Sequence, residues 1–199
     1  MKFLLIFFCL GTLYGSVQAQ DVQSLIRDAE KLEVQMQEKE ALRLFKEALK
    51  QQPLNAYLLS KCSELCSRIG HRESAHRLRD EYYEAATIYA KTALKYFPNN
   101  DEAHVSMAIA LGRTALTKSG KEKISQVKEI RSHADRAIQL NPANFKAWHV
   151  LGKWYYEVAN LNFVEKSAVK LFYGGLPKAN WQLAIHAYEK ARVLKPDFT

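Results

Sequence analysis

The sequence predicts an all-α protein, a solenoid of helical hairpins with elongated helices, and three observations support this fold class. Proline recurs at positions 53, 98, 142 and 196, each time five residues after an alanine. A second recurring pattern begins about six residues after each of the first three prolines. The chain of 199 residues is 48% hydrophobic with only eight Gly and five Pro. A chain of this composition can bury a sizeable core without metal or disulfide support.

Residues 1–19 have the pattern of an export signal. Lys2 is followed by an apolar run to about Tyr14, and small residues stand at Val17 and Ala19. This pattern predicts cleavage near Ala19, and the run falls short of the roughly 20 apolar residues of a membrane span. We therefore expect an exported protein, periplasmic or secreted, with a retained membrane anchor as the alternative.

The charge balance restricts the expected partners. Removing residues 1–19 takes away Lys2 alone among the charged residues, so the formal net charge of +8 becomes +7. A chain this basic suits acidic proteins, anionic lipid or nucleic acid. Because an exported protein seldom meets nucleic acid, we expect a peptide or protein partner or a phospholipid membrane surface, and no nucleic acid.

The proline repeat describes a second helix that ends in the same way four times. Small and large apolar residues precede each proline at helical spacing, and proline stops the helix because it lacks a backbone N–H. The four copies are Ala41, Phe45, Ala48 and Pro53; Ala86, Ala90, Ala93 and Pro98; Ile130, Ala134, Ala137 and Pro142; and Ala184, Tyr188, Ala191 and Pro196.

The other pattern is clearest at Trp148-x2-Leu151-Gly152-x2-Tyr155, the first-helix signature of a tetratricopeptide repeat. Weaker copies keep a small residue at the glycine position, where paired helices approach most closely: Ala29, Ser63 and Ala108. The sequence therefore predicts one tetratricopeptide-like domain over residues 20–199, with about four repeats at 22–55, 56–100, 101–144 and 145–198. Trp148, Leu151 and Tyr155 are expected to be buried.

The fourth repeat carries an insertion. Trp148 to Ala184 spans 36 residues, whereas the corresponding distance from Leu25 to Ala41 is 16. Within the excess, apolar residues follow helical spacing and end at Gly174-Gly175, which predicts an inserted apolar helix over 161–172. Its apolar residues are Leu161, Val164, Ala168, Leu171 and Phe172.

Motifs for chemistry are weak. Cys62 and Cys66 are four apart on a predicted helix, so we expect buried thiols and no bridge. His71 and His76 are five apart, whereas zinc ligands on one helix face need a spacing of four. We expect no enzyme, no catalytic residue, no cofactor and no metal.

The inner face of the first helices is the candidate binding surface. Its charges change from acidic in the first repeats to basic in the later ones, which favours an extended ligand with an acidic end. The predicted contacts are Arg113, His149, Lys153 and Tyr156. An ordinary solvated face is the alternative interpretation.

Several segments of the later repeats resemble the regulator of microtubule dynamics family. They are 137–142 (AIQLNP), 149–156 (HVLGKWYY), 168–172 (AVKLF) and Leu176-Pro177, with Ala184, Tyr188, Ala191 and 196–198 (PDF). The resemblance covers the chain well from about Asp101 onward. It implies a scaffold with a tetratricopeptide-like domain, associated with microtubules or, in tethering members, with phospholipid.

Two functions follow. The first is a non-enzymatic scaffold that binds a peptide or protein in its inner groove. The alternative is a phospholipid-binding or tethering module that uses the inserted helix. In that alternative an acyl chain would lie beneath the helix, with Lys166, Lys170 and Lys178 near the head group.

Overall fold

The computed structural model describes residues 11–197, and the side chains of residues 22–197. The side chains of the predicted signal segment, 1–19, lie outside this range. The described helices are α1 (Gly11–Val34), α2 (Glu38–Gln51), α3 (Ala56–Arg72), α4 (His76–Tyr96), α5 (Asp101–Thr114), α6 (Gly120–Leu140), α7 (Phe145–Asn160), α8 (Phe163–Tyr173) and α9 (Trp181–Leu194). A short 3-10 helix, Ala115–Thr117, follows α5.

The helices pair into four hairpins, α1 with α2, α3 with α4, α5 with α6, and α7 with α9. Each second helix also contacts the first helix of the next hairpin, and α3, α5 and α7 contact one another in sequence along the stack. This arrangement confirms the predicted all-α, tetratricopeptide-like solenoid. No strand occurs between residues 11 and 197.

Asparagine starts three of the four first helices. The side chains of Asn55, Asn100 and Asn144 accept hydrogen bonds of 3.1, 2.8 and 3.0 Å from backbone N–H groups in the first turns of α3, α5 and α7. A capping side chain satisfies a donor that the helix itself leaves unpaired. These helices therefore begin at equivalent points, and positions along them can be compared one for one.

Each second helix ends three residues after the alanine of its repeat and two residues before the proline. The carbonyl oxygens of Ala48, Ala93, Ala137 and Ala191 accept the last backbone hydrogen bonds of α2, α4, α6 and α9. Each proline lies two residues beyond the end of its helix, where its missing N–H costs no hydrogen bond. These alanines are buried, so each marks both a helix end and a core contact.

Small residues bring the two helices of a hairpin together. The hydroxyl of Ser63 in α3 donates a 2.8 Å hydrogen bond to the carbonyl oxygen of Ala86 in α4. Gly152 in α7 lies against the ring of Tyr188 in α9. Both positions belong to the predicted small-residue row, which explains why a bulky side chain is excluded there.

One burial prediction is wrong. Leu151 and Tyr155 are buried as expected, but Trp148 is only half-buried. Trp148 lines an open pocket of about 370 Å³ between α6, α7 and α9, which leaves its indole partly accessible to solvent. The fully packed indole is that of Trp154, which is 4% exposed and whose Nε1 donates a 2.7 Å hydrogen bond to the carbonyl oxygen of Val127.

The insertion forms α8, close to the predicted span of 161–172. Asn162 and Glu165 cap its start reciprocally, and Gly174 ends it in the left-handed conformation with φ of 73°. The helix rests on α6, and Lys166 joins it to the end of α7 through a hydrogen bond to the carbonyl oxygen of Ala159. Lys128 of α6 donates a 2.8 Å hydrogen bond to the carbonyl oxygen of Tyr173. The insertion therefore extends the side of the solenoid and leaves the pairing of α7 with α9 intact.

Candidate ligand-binding groove

Charged side chains on the inner face of the first helices form a network of close ion pairs. Glu33 of α1 accepts hydrogen bonds from Lys61 (2.8 Å) and Arg68 (2.5 Å) of α3. The nearly buried Glu38 of α2 lies 3.2 Å from Arg68 and 2.6 Å from Arg72. Three helices are thereby joined by carboxylates that face guanidinium and ammonium groups.

The pairing continues towards the C-terminal repeats through Lys146 of α7. Its ammonium group lies 2.9 Å from Glu64 of α3 and 3.3 Å from Glu102 of α5. Burial would raise the pKa of the Glu64 carboxyl, but Lys146 and Lys61 hold that pKa below its usual value. These acidic residues are therefore already neutralised by the protein's own cations.

Arg113 of α5 differs from these residues. It has no ion pair or hydrogen bond with any other residue of the described chain, and its Nε atom is buried without a partner. Burial lowers the pKa of its guanidinium, although the nearby Tyr83 raises it. A partly buried cation without a counter-charge is costly, which makes this position a candidate anion site.

Three of the four predicted contact residues lie together on α7. Lys153 pairs with Glu157 at 2.7 Å, and both side chains are largely exposed. The imidazole of His149 packs edge-on against Tyr188, with ring centroids 5.3 Å apart. Tyr156 packs edge-on against Trp181 of α9, with ring centroids 5.2 Å apart. Tyr156 and Trp181 remain partly exposed and form an aromatic edge beside Lys153.

The sequence analysis set aside one member of this surface, His71. Its pKa is lowered chiefly by Arg113, with further effects of burial, Arg72 and Lys153. The charge of His71 in α3 is therefore coupled to those of Arg113 in α5 and Lys153 in α7. We call Arg113, His71, His149 and Lys153 the basic cluster. The sequence analysis considered His71 only as a zinc ligand. Its position in the last turn of the first helix α3 was the feature that could have assigned it to this surface.

The inserted helix exposes most of its predicted apolar contacts. Val164, Leu171 and Phe172 are largely exposed, whereas Leu161 and Ala168 are half-buried. The side chains of Val164, Leu171 and Phe172 therefore face solvent. The predicted contact of these residues with lipid stays a prediction.

The polar side chains of α8 and an additional aromatic residue complete this surface. Phe163, which the sequence analysis did not include, is 85% exposed. Lys166 donates a 3.0 Å hydrogen bond to the carbonyl oxygen of Ala159, and Lys170 is exposed. Between residues 11 and 197, no helix has both the length and the apolarity that a membrane crossing requires.

The two cysteines take no part in either surface. Cys62 and Cys66 are buried free thiols, and burial raises the pKa of each to about 12. Among the residues whose placement is described, no three His, Cys, Asp or Glu side chains form a group that could hold a metal ion.

Comparison with solved structures gives the fold. A thermophilic tetratricopeptide protein from Thermus thermophilus superimposes with a TM-score of 0.64 and 16% identity, covering 88% of this chain and 75% of that one. MamA of Desulfovibrio magneticus superimposes with a TM-score of 0.52 and 15% identity, covering 88% and 76%.

Comparison with models of protein families shows to which family the chain belongs. The model of regulator of microtubule dynamics protein 1-3 matches residues 25–199. The chain belongs to this family. Regulator of microtubule dynamics protein 3 of Xenopus laevis is 28% identical over 145 residues, which are 65% of this chain and 31% of the relative. Regulator of microtubule dynamics protein 1 of Mus musculus is 29% identical over 116 residues, 58% of this chain and 38% of the relative. The chain thus spans about a third of the length of these regulator of microtubule dynamics proteins.

Proposed function

We propose that this family member is an exported, non-enzymatic scaffold that binds an acidic segment of a peptide or protein in its inner groove. The observation that carries the proposal is the unpaired, half-buried Arg113 in a groove where the neighbouring acidic side chains are already paired. An acidic ligand would supply the counter-charge that the fold does not provide. The tetratricopeptide-like stack supports the proposal by presenting this surface on successive rigid helices.

The arrangement gives the ligand a direction. Acidic groups would face Arg113 and Lys153, while an apolar or aromatic group would lie against Tyr156 and Trp181. The cations beside Glu33 and Glu64 are already paired with those carboxylates, so that region offers an acidic ligand little attraction. The mechanism is a small number of charge pairs combined with shape, and no bond is made or broken.

Fluorescence anisotropy with a labelled glutamate-rich peptide tests this function. The Arg113→Glu, Lys153→Glu double variant should lose at least about tenfold in affinity, since it replaces two attractive charges with repulsive ones. A glutamine-rich peptide of the same length should bind weakly to both proteins. The matched control is Lys190→Glu, Arg192→Glu, which makes the same charge change on the exposed face of α9. Equal binding by the double variant and the wild type would reject the groove as the binding site.

A second function is supported by the exposure of α8. Phe163, Val164, Leu171 and Phe172 are between 71% and 85% exposed. Lys166, Lys170 and Lys178 accompany them at the surface. Apolar side chains flanked by lysines suit the interface of an anionic membrane, where each lysine near the surface contributes about 1 kcal/mol. On this proposal α8 lies on a phospholipid surface and does not enclose a lipid.

Vesicle flotation tests the second function. The protein should float with phosphatidylserine-containing vesicles and less with pure phosphatidylcholine vesicles. Leu171→Ser, Phe172→Ser should abolish flotation, whereas the control Val193→Ser removes a comparably exposed apolar side chain from α9 and should not. Flotation that survives the double substitution would show that α8 is not the contact.

Export is tested separately. We propose cleavage near Ala19, and N-terminal sequencing of the protein from an extracytoplasmic fraction should begin close to Gln20. A mature protein that begins at Met1 would reject this proposal and leave the two binding proposals to be judged on their own assays.

A further inference from the structure

We infer that the guanidinium of Arg113 is a binding site for a single carboxylate group, and that it takes one carboxylate of the peptide that the proposed function places in the groove. The inference rests on the proposed function for the source of the carboxylate. The site itself is argued from the repeat, which contains a second arginine at the equivalent position.

Arg68 and Arg113 are equivalent residues of successive repeats. Each lies five residues after the small residue of its first helix, Ser63 in α3 and Ala108 in α5. The starts of these helices are fixed by the capping residues Asn55 and Asn100, which occupy the same position relative to the two arginines. The two guanidinium groups therefore occupy corresponding positions in the stack.

Three carboxylates surround Arg68. Glu33, Glu38 and Glu64 lie 2.5, 3.2 and 3.9 Å from its guanidinium nitrogens. They come from three different helices, α1, α2 and α3. The repeat can thus build a complete acidic environment around an arginine at this position from its own side chains.

The equivalent residues around Arg113 are all uncharged. Glu33 lies four residues after Ala29, and the residue four after Ser63 is Ser67. Glu38 lies ten residues before Ala48, and the residue ten before Ala93 is Tyr83. Glu64 directly follows Ser63, and Ile109 directly follows Ala108.

Two of the three replacements, Ser67 and Tyr83, carry a hydroxyl group, and none of them carries a carboxylate. The hydroxyl of Ser67 is buried without a hydrogen-bond partner, and Tyr83 is close enough to Arg113 to affect the pKa of its guanidinium. A hydroxyl can donate to a carboxylate but cannot neutralise an arginine. A ligand carboxylate at this position would complete the charge pairing that the preceding repeat completes internally.

His71 provides a reporter of the bound carboxylate. The charged groups that act on its pKa are Arg113 on α5, Arg72 on its own helix and Lys153 on α7, and Lys153 is itself paired with Glu157. These cations lower the pKa of His71 in the free protein. A carboxylate on Arg113 offsets that effect, so it raises the pKa of His71, and binding takes up protons. Carboxylate affinity should therefore increase as the pH falls through the pKa of His71 in the bound state.

Sodium acetate is the simplest probe, with sodium chloride at matched ionic strength as reference. The His71 side-chain resonances, followed by NMR, should shift with acetate and report a higher pKa. Arg113→Gln should abolish the acetate response and raise the pKa of His71 in the free protein. Arg113→Lys should keep the lowered pKa of free His71 but bind acetate more weakly, because lysine lacks the two-pronged geometry of arginine. Arg192→Gln is the control and should change neither result.

The outcomes separate this inference from the proposed function. An acetate response that persists unchanged in Arg113→Gln overturns the inference, as does a stronger response to inorganic phosphate than to acetate. An Arg113-dependent acetate response with no binding of the glutamate-rich peptide supports the carboxylate site and rejects the peptide function. Among peptides, loss of binding on C-terminal amidation assigns the site to a terminal carboxylate, whereas loss on replacing glutamate by glutamine assigns it to a side chain.

Discussion

Gly152 of α7 lies directly against the ring of Tyr188 of α9. A Cβ atom added to Gly152 would come within 2.9 Å of Tyr188 Cδ1 and 3.0 Å of Cγ. The contact joins the two helices of the last hairpin, which are separated in the sequence by the α8 insertion. The close approach of α7 and α9 therefore depends on the absence of a side chain at one position.

Gly152→Ala should lower the free energy of unfolding by about 1–3 kcal/mol, because the new methyl group must displace the tyrosine ring or separate the helices. Urea unfolding followed by circular dichroism measures the change. Gly112→Ala in α5 is the matched control, since the nearest side-chain atom there, Ile130 Cδ1, is 4.0 Å from the added Cβ. This control should be neutral or stabilising by up to about 1 kcal/mol. Equal losses in the two variants would contradict the role of the contact.

The two tryptophans of α7 should differ in their contribution to stability. Trp154→Ala should cost about 3–5 kcal/mol, since its ring is buried, its Nε1 is hydrogen-bonded and Arg131 lies 4.9 Å from the ring centroid. Trp148→Ala should cost less, because its indole is already half-exposed. Chemical unfolding gives both values, and acrylamide should quench Trp148 more readily in single-tryptophan variants. A larger loss at Trp148 would show that the packing is wrongly assigned.

The equivalent arginines should respond differently to the same substitution. Arg68→Gln leaves Glu33 and the nearly buried Glu38 with fewer counter-charges, so it should lower the free energy of unfolding by about 3 kcal/mol. Arg113→Gln removes a cation without a partner and should be neutral or stabilising. Thermal and urea unfolding of the two variants check this contrast. A destabilisation of similar size in both would mean that Arg113 has a structural partner.

Acid should destabilise the fold through its histidines. His133 Nδ1 lies 2.9 Å from His104 Nδ1, and His104 Nε2 donates to the carbonyl oxygen of Pro98, so His133 donates to His104 when both are neutral. Burial and His104 lower the pKa of His133, and burial followed by Lys153 lowers that of His149. The unfolded chain then binds more protons than the folded chain below its ordinary histidine pKa of about 6.5.

Stability should accordingly fall as the pH drops from about 7 through the lowered pKa values of the folded protein. Urea unfolding at about pH 7.5 and pH 5.5 measures this loss. His133→Gln should reduce it, because glutamine does not titrate. A free energy of unfolding that is constant or rises on acidification would contradict the assignment.

The sequence predicted the fold because each of its signals has a local physical cause. The alanine five residues before each proline accepts the last backbone hydrogen bond of its helix, and the small residue of each first helix permits close packing. Both patterns can therefore be recognised without knowledge of the neighbouring helices. The burial of Trp148 was wrongly predicted because it depends on how far α6 and α9 cover the indole. The spacing of residues along α7 carries no information on that packing.

The site was less accessible to sequence reasoning for the same reason. Arg113 could be placed on the inner face by spacing, but its lack of a counter-charge depends on Ser67 and Tyr83, which come from two other helices. His71 was missed because the charges that lower its pKa, chiefly that of Arg113, belong to residues distant in sequence. Whether a charged residue has a counter-charge depends on the side chains that adjacent helices place beside it, and the type of the residue alone does not determine this.

The α8 segment contains its own start and stop signals, from the cap at Asn162 to the left-handed Gly174, and the helices on either side of it pair as though it were missing. The residues that pair the helices of the solenoid are thus different from those that form the exposed surface of α8. The sequence of α8 can therefore be replaced, and with it the exposed surface that this helix presents, without changing the helices that form the solenoid.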